Sequence, residues 1–225
     1  MSGKNKENNM KHRLKNLKAV GFDLDNTLYA QTQEISELIT DYICKKASDC
    51  LGMSYKVVRE VFQKANNELQ SARRSLALLG IPIEDGKTFV QEALENANIA
   101  KALKKDERLC GMVSNLIDKY HVYLITSSSK DQTKKKLNAL GLETELFYPL
   151  LDSDSKYLRD DGQAFTYVSA ILNVSLGDMM FVGDREKVDI IPAVNLGMLT
   201  AIVNAKSDLA HFELQTIHDL EKILA

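Results

Sequence analysis

The sequence predicts an α/β fold, a parallel sheet covered by helices with a helical bundle inserted near its start, and three observations carry that prediction. Short apolar runs of strand length alternate with helical patterns from residue 106 onward; a further apolar run, LKAVGFDL at 17–24, stands far upstream of them; and nothing between 30 and 105 reads as a strand. Strands alternating with helices pair in parallel and are buried on both faces. A chain of 225 residues is long for one compact domain and short for two, which fits one core plus an insert.

The elements follow in order. MSGKNKENNMKHRLKNLK, at 1–18, holds six Lys or Arg against one Glu and no apolar run, so residues 1–16 are expected to be a disordered basic tail rather than a signal or a span. The run at 17–24 is the first strand. Ile35, Leu38, Ile39, Tyr42 and Ile43 recur at helical spacing, and Ser54 caps a second helix carrying Val58, Phe62, Ala65, Leu69, Ala72 and Leu76. After the Gly80-Ile81-Pro82 break, Phe89, Val90, Ala93, Leu94 and Ala97 mark a third helix. Next come a helix from Leu109 to Tyr120, the strand HVYLITS, a helix stopped by Gly141, the run LFYPLL, a helix over 162–174, the strand MMFVGD, a short helix DIIPAVNLG, the strand LTAIVN and a last helix LQTIHDLEKIL. About five strands are expected, with the core at 17–29 and 106–225 and the insert at 30–105.

Composition narrows the function. Hydrophobic content of 44% and charged content of 27% are ordinary for a globular protein, and a net charge of −2 gives no electrostatic reason for nucleic acid or an anionic membrane as partner. Cys44, Cys50 and Cys110 are odd in number and lack CxxC spacing, which fits a reducing, cytoplasmic setting better than disulfides or zinc. None of the four histidines, at 12, 121, 211 and 218, sits near a polar strand end. Arg73, Arg74 and the Lys134, Lys135 and Lys136 run are read as solvated.

Ligands of such sheets bind outside the carboxyl ends of the strands. The polar residues ending the apolar runs therefore share a rim: Asp23 and Asp25, Thr126 and Ser127, then Gly183 and Asp184, with Asp189 five positions on. Converging carboxylates repel unless a cation sits among them, and oxygen ligands without His or Cys favour Mg²⁺. Hydroxyls at 126 and 127, free backbone N–H groups after Asp25 and a nearby Lys or Arg suit a phosphate. A metal and a phosphate together point to phosphoryl transfer.

DLDNT at 23–27 resembles the first signature of the haloacid dehalogenase superfamily, whose phosphatases carry Asp-x-Asp-x-Thr; YLITSSS resembles the second, and MMFVGDREKVDIIPAVNLGMLTAIV the fourth. These pieces lie in the family's order over 17–204, and FDLDNTLY is similar to the form found in pyrimidine 5′-nucleotidase-like members. The resemblance implies a Rossmann-like core with a helical cap, and Mg²⁺-dependent hydrolysis of a small phosphorylated metabolite through an aspartyl-phosphate. It makes Asp23 the nucleophile and Asp25 the acid and base, the latter also lending a backbone carbonyl to the metal. Asp184 supplies a further metal ligand, Asp189 helps ligate the metal or orients the basic residue, Asn26, Thr126 and Ser127 meet substrate, and Thr27 braces the loop. The third signature departs from the family: Arg159, followed by Asp160 rather than Pro, and Lys156 are the two candidates for its basic residue. A dehalogenase has no need of Asp25, whereas a phosphomutase or a non-catalytic phosphate-binding protein would keep the same rim.

Overall fold

The computed structural model describes residues 3–69, 71–155 and 161–224. The chain divides into two units, 1–30 with 103–225 and 31–102. Its elements are α1 (Gly3–Lys15), β1 (Ala19–Phe22), α2 (Gln33–Leu51), α3 (Tyr55–Leu69), α4 (Ala72–Leu78), α5 (Ile83–Asn96), α6 (Glu107–Ile117), β2 (His121–Ile125), α7 (Lys130–Leu140), β3 (Leu150–Leu151), α8 (Gln163–Leu172), β4 (Met179–Gly183), α9 (Ile191–Asn195), β5 (Leu199–Val203), β6 (Phe212–Leu214) and α10 (Leu220–Leu224).

Among the described residues of the first unit six parallel strands form one sheet in the order β3-β2-β1-β4-β5-β6. The strand nearest the N-terminus thus lies inside the sheet, with Phe22 opposite both Leu124 and Val182. Successive residues face opposite layers. Val20, Phe22, Val122, Leu124, Met180 and Val182 pack with α6, α7 and the C-terminal segment, while Ala19, Tyr123, Ile125, Met179 and Phe181 pack with α8. Gly21 is required between them: a Cβ there would lie 2.1 Å from the Tyr123 ring, whose hydroxyl donates to the Met180 carbonyl.

Three expectations are corrected here. The sheet has six strands rather than five, because residues 212–214 pair with β5 and leave only a 3₁₀ turn and the short α10 where one C-terminal helix was expected. The basic tail is helical over 3–15. Met10 and Leu14 pack on the core and the Arg13 guanidinium donates to His211 Nε2 and the Gly197 carbonyl, so the segment has apolar and polar anchors that its composition hides.

Among its described residues the second unit contains helices and no strand, with Ile43, Cys44, Ala47, Val58, Phe62, Leu76, Ile81, Phe89 and Ala93 as its core. The helix expected from Val58 to Leu76 is two helices, α3 and α4, because the Ser71 side chain accepts from Arg74 N and caps a new start. Among the described residues no helix is long and apolar enough to cross a membrane.

Candidate active site

The sheet ladder runs one residue past β1, where Asp23 N donates to the Val182 carbonyl at 2.9 Å. The chain then leaves the sheet. Asn26 takes a left-handed conformation, φ 59°, which a short polar side chain tolerates, and Leu28 N closes the turn on the Leu24 carbonyl. Asp23 and Asp25 are thereby fixed at the carboxyl edge, Asp23 only 2% exposed.

Asp23, Asp184 and Asp189 each bring one carboxylate oxygen to within 4.8 Å of the others. Gly183 permits this: a Cβ at that position would stand 2.5 Å from the Asp189 side chain. Asn26 Nδ2 donates to Asp184 Oδ2 at 2.9 Å and Arg185 N to Asp189 Oδ2 at 2.9 Å, so two of the acids are oriented from outside the cluster. Asp184 Oδ1 is buried and accepts no hydrogen bond, with Arg185 Nε 3.8 Å away. Two unit charges 4.8 Å apart repel by about 3.5 kcal/mol at an effective dielectric constant of about 20. Oxygen-only donors, a buried acceptor with room for another partner, and this repulsion fit a hard divalent cation such as Mg²⁺.

The Asp25 carboxylate stands outside that cluster and is held by donors. Lys136 Nζ lies 2.7 Å from Oδ1, the Ser128 hydroxyl donates to Oδ2 at 2.7 Å, and the Tyr29 hydroxyl donates to Oδ1. Burial by itself raises the Asp25 pKa; the Lys136 charge and the bonds from Lys136, Tyr29 and Ser128 outweigh it and hold the carboxyl below the usual range. The Tyr29 phenol is pushed well above its ordinary value, first by burial and then by the charge and hydrogen bond of Asp25.

Thr126 is buried at the end of β2, its N donating to the Leu151 carbonyl and its Oγ1 accepting from Ser128 N at 3.1 Å, which leaves the hydroxyl proton to donate elsewhere. Ser127 beside it is exposed. Lys156 and Arg159 lie outside the described residues. Lys136 corrects the expectation of a solvated lysine run: it is 1% exposed. The signal was in the phase of α7, where Thr133, Lys136, Leu137 and Leu140 form the buried face and Lys134 and Lys135 turn outward. Ser128 and Tyr29, absent from the expected site, have no comparable sequence signal.

A parallel sheet with a carboxylate cluster and a clamped acid at its carboxyl edge places the chain among α/β proteins with a candidate ligand site on that rim. Residues 17–197 match the family described as haloacid dehalogenase-like hydrolase, and the chain belongs to that family. Among solved structures it is similar to a HAD phosphatase from Thermococcus onnurineus, with 24% identity, a TM-score of 0.63, and 93% of this chain and 98% of that chain covered. It is also similar to the Bacillus subtilis protein YfnB, solved bound to magnesium (17% identity, TM-score 0.60, 92% and 98% covered). A third similar structure is L-2-haloacid dehalogenase from Xanthobacter autotrophicus (16%, 0.55, 92% and 98%).

Proposed function

We propose that this protein is a phosphatase that hydrolyses a small phosphate monoester with Mg²⁺ through an aspartyl-phosphate on Asp23. The observation that carries the reading is the separation of roles at one strand end: Asp23 lies in the carboxylate cluster, while Asp25, two residues on, is held apart by three donors. A dehalogenase offers no work for that second acid.

A carboxylate oxygen of Asp23 attacks phosphorus, the ester P–O bond breaks, and the leaving oxygen takes its proton from Asp25. Water then attacks the acyl phosphate, Asp25 accepts its proton, and phosphate departs as the Asp23 carboxylate is restored. To act first as an acid Asp25 must carry a proton, and a phosphate dianion beside it opposes the Lys136 field that favours its ionised form. Asp23, Asp184, Asp189 and the Asp25 backbone carbonyl would hold the metal, which when bound offsets the charge of phosphate and nucleophile. Thr126 and Ser127 would donate to phosphoryl oxygens; Asn26 would act at the same end, and Lys156 or Arg159 would add positive charge.

The helical unit follows the first signature directly in the chain, as a substrate-selecting cap of the pyrimidine 5′-nucleotidase-like kind would. Its substrate would be a small phosphorylated metabolite, not nucleic acid or a membrane, and free Cys44, Cys50 and Cys110 fit a cytoplasmic setting.

The test is phosphate release from p-nitrophenyl phosphate and a panel of phosphorylated metabolites. Wild-type release should disappear with EDTA and fall by about 10⁴-fold or more in Asp23→Asn. Release that persists undiminished in that variant, or its absence across the panel, overturns the reading.

A further inference from the structure

Lysine is almost never fully buried without a partner, because removing an ammonium from water is costly. Lys136 is 1% exposed, and its ammonium is placed between two oxygens, Asp25 Oδ1 and Ser128 Oγ, each at 2.7 Å. Ser128 in turn donates to Asp25 Oδ2 at 2.7 Å, so the lysine reaches both oxygens of the acid, one directly and one through the hydroxyl. Helix geometry fixes the approach, since Lys136 shares the inward face of α7 with Thr133, Leu137 and Leu140. The carboxylate cluster gathers Asp23, Asp184 and Asp189 but not Asp25, a further acid of the same rim.

We propose that Lys136, with Ser128, is a positioning residue that holds the Asp25 carboxylate out of the metal cluster, so that a divalent ion there meets three carboxylates and Asp25 stays available for substrate. The catalytic half of this statement rests on the phosphatase reading; the metal half does not. Without the clamp, Asp25 is a mobile anion beside a trio that attracts cations, and it joins the ion. The ion is then bound more tightly and Asp25 is lost to proton transfer.

The experiment measures Mg²⁺ affinity by calorimetry, together with kcat and KM, on the full chain. In Lys136→Met, Mg²⁺ should bind about tenfold tighter, kcat should fall about 100-fold, within the range that acid–base catalysis contributes, and KM should move less than about threefold. Loss of a nearby positive charge would also tighten metal binding through the field alone. The Lys136→Met/Asp25→Asn double variant, compared with Asp25→Asn alone, separates the two: there the Lys136→Met step acts through the field only, so a much smaller tightening than in the wild-type background supports Asp25 as the added ligand, and an equal tightening overturns the proposal. A folded Lys136→Met with unchanged metal affinity overturns it too, as does a rise in KM with kcat unchanged, which would make Lys136 a substrate ligand. Should Lys136→Met fail to fold, Ser128→Ala, a small change, should shift affinity and kcat in the same directions by about threefold and tenfold, and no shift overturns the idea. If wild-type protein hydrolyses no ester, the phosphatase reading falls and the two affinity measurements still decide the positioning role.

Discussion

The two sides of the β1 terminus carry the same residue type in opposite electrostatic conditions. Asp25 takes hydrogen bonds from Lys136, Ser128 and Tyr29, whereas Asp23, Asp184 and Asp189 crowd their oxygens within 4.8 Å and leave Asp184 Oδ1 buried without a hydrogen bond. The first group is neutralised by donors within the chain; the second has the oxygen-only donor set that suits a cation. Four acids at one rim are therefore not one site with four equivalent ligands, and the buried lysine is what divides them.

Equivalent substitutions on the two sides should have opposite signs, which is the strongest way to break the comparison. With divalent ions chelated, Asp25→Asn leaves the Lys136 ammonium buried without its anion. Stability in urea should fall by about 2 kcal/mol, less than the 3–5 of a fully buried pair because Asp25 is 38% exposed. Asp184→Asn removes one of three repelling charges, and stability should rise by about 1 kcal/mol. Mg²⁺ at a hundred times its dissociation constant should then add about 2.7 kcal/mol to the wild type and far less to Asp184→Asn. Equal losses from both substitutions would mean that the cluster needs no cation.

A smaller effect sharpens the same contrast on the backbone. Gly183→Ala sets a Cβ 2.5 Å from Asp189, so that side chain must shift; we expect a loss of about 1–2 kcal/mol together with weaker Mg²⁺ binding. Asp25, reached from β1 and α7, should keep its partners. Calorimetry showing unchanged metal affinity in Gly183→Ala would remove Asp189 from the cluster's working set.

What the sequence revealed and what it hid follow from the same physics. β1, β2, β4 and β5 are largely apolar runs ending in polar residues, the pattern a parallel strand buried on both faces must have, so the positions of Asp23, Asp25, Thr126 and Asp184 at the carboxyl edge are legible from the runs' ends, and Asp189 only from its spacing to Asp184. β3 is two residues of the expected run LFYPLL, whereas β6 has three residues, too few for any period to show. A cap decided the break between α3 and α4, and a single Ser carries little weight against an apolar stripe that steps across it. Lys136 was lost because charge counted along the chain ignores helix phase: one lysine in a run of three turns inward while its neighbours remain in water. Ser128 acts only after β2 and the first strand have come together.

The smallest predicted effect lies far from the rim, where the α1 helix is fastened to the sheet. Arg13 Nη1 is 2.9 Å from His211 Nε2, and His211 Nδ1 is 2.9 Å from Thr200 Oγ1. Guanidinium only donates, and the Thr200 N–H also donates to Nδ1 at 3.2 Å, so both ring nitrogens face donors and a second ring proton is opposed from each side. Burial, then the Arg13 charge, lowers the His211 pKa below its ordinary value. A depressed folded-state value means that the unfolded chain binds the proton more readily, so this contribution to stability is complete above about pH 6.5 and is lost as pH falls from there through the folded pKa. Thermal unfolding between pH 7.5 and 5 should show a decline in the wild type that His211→Asn lacks, while both proteins keep the same Mg²⁺ response. If the two unfold in parallel across that range, the histidine is not the acid-sensitive part of the fastening, and Met10, Leu14 and the Arg13 bond to Gly197 are left as anchors that carry no such pH dependence.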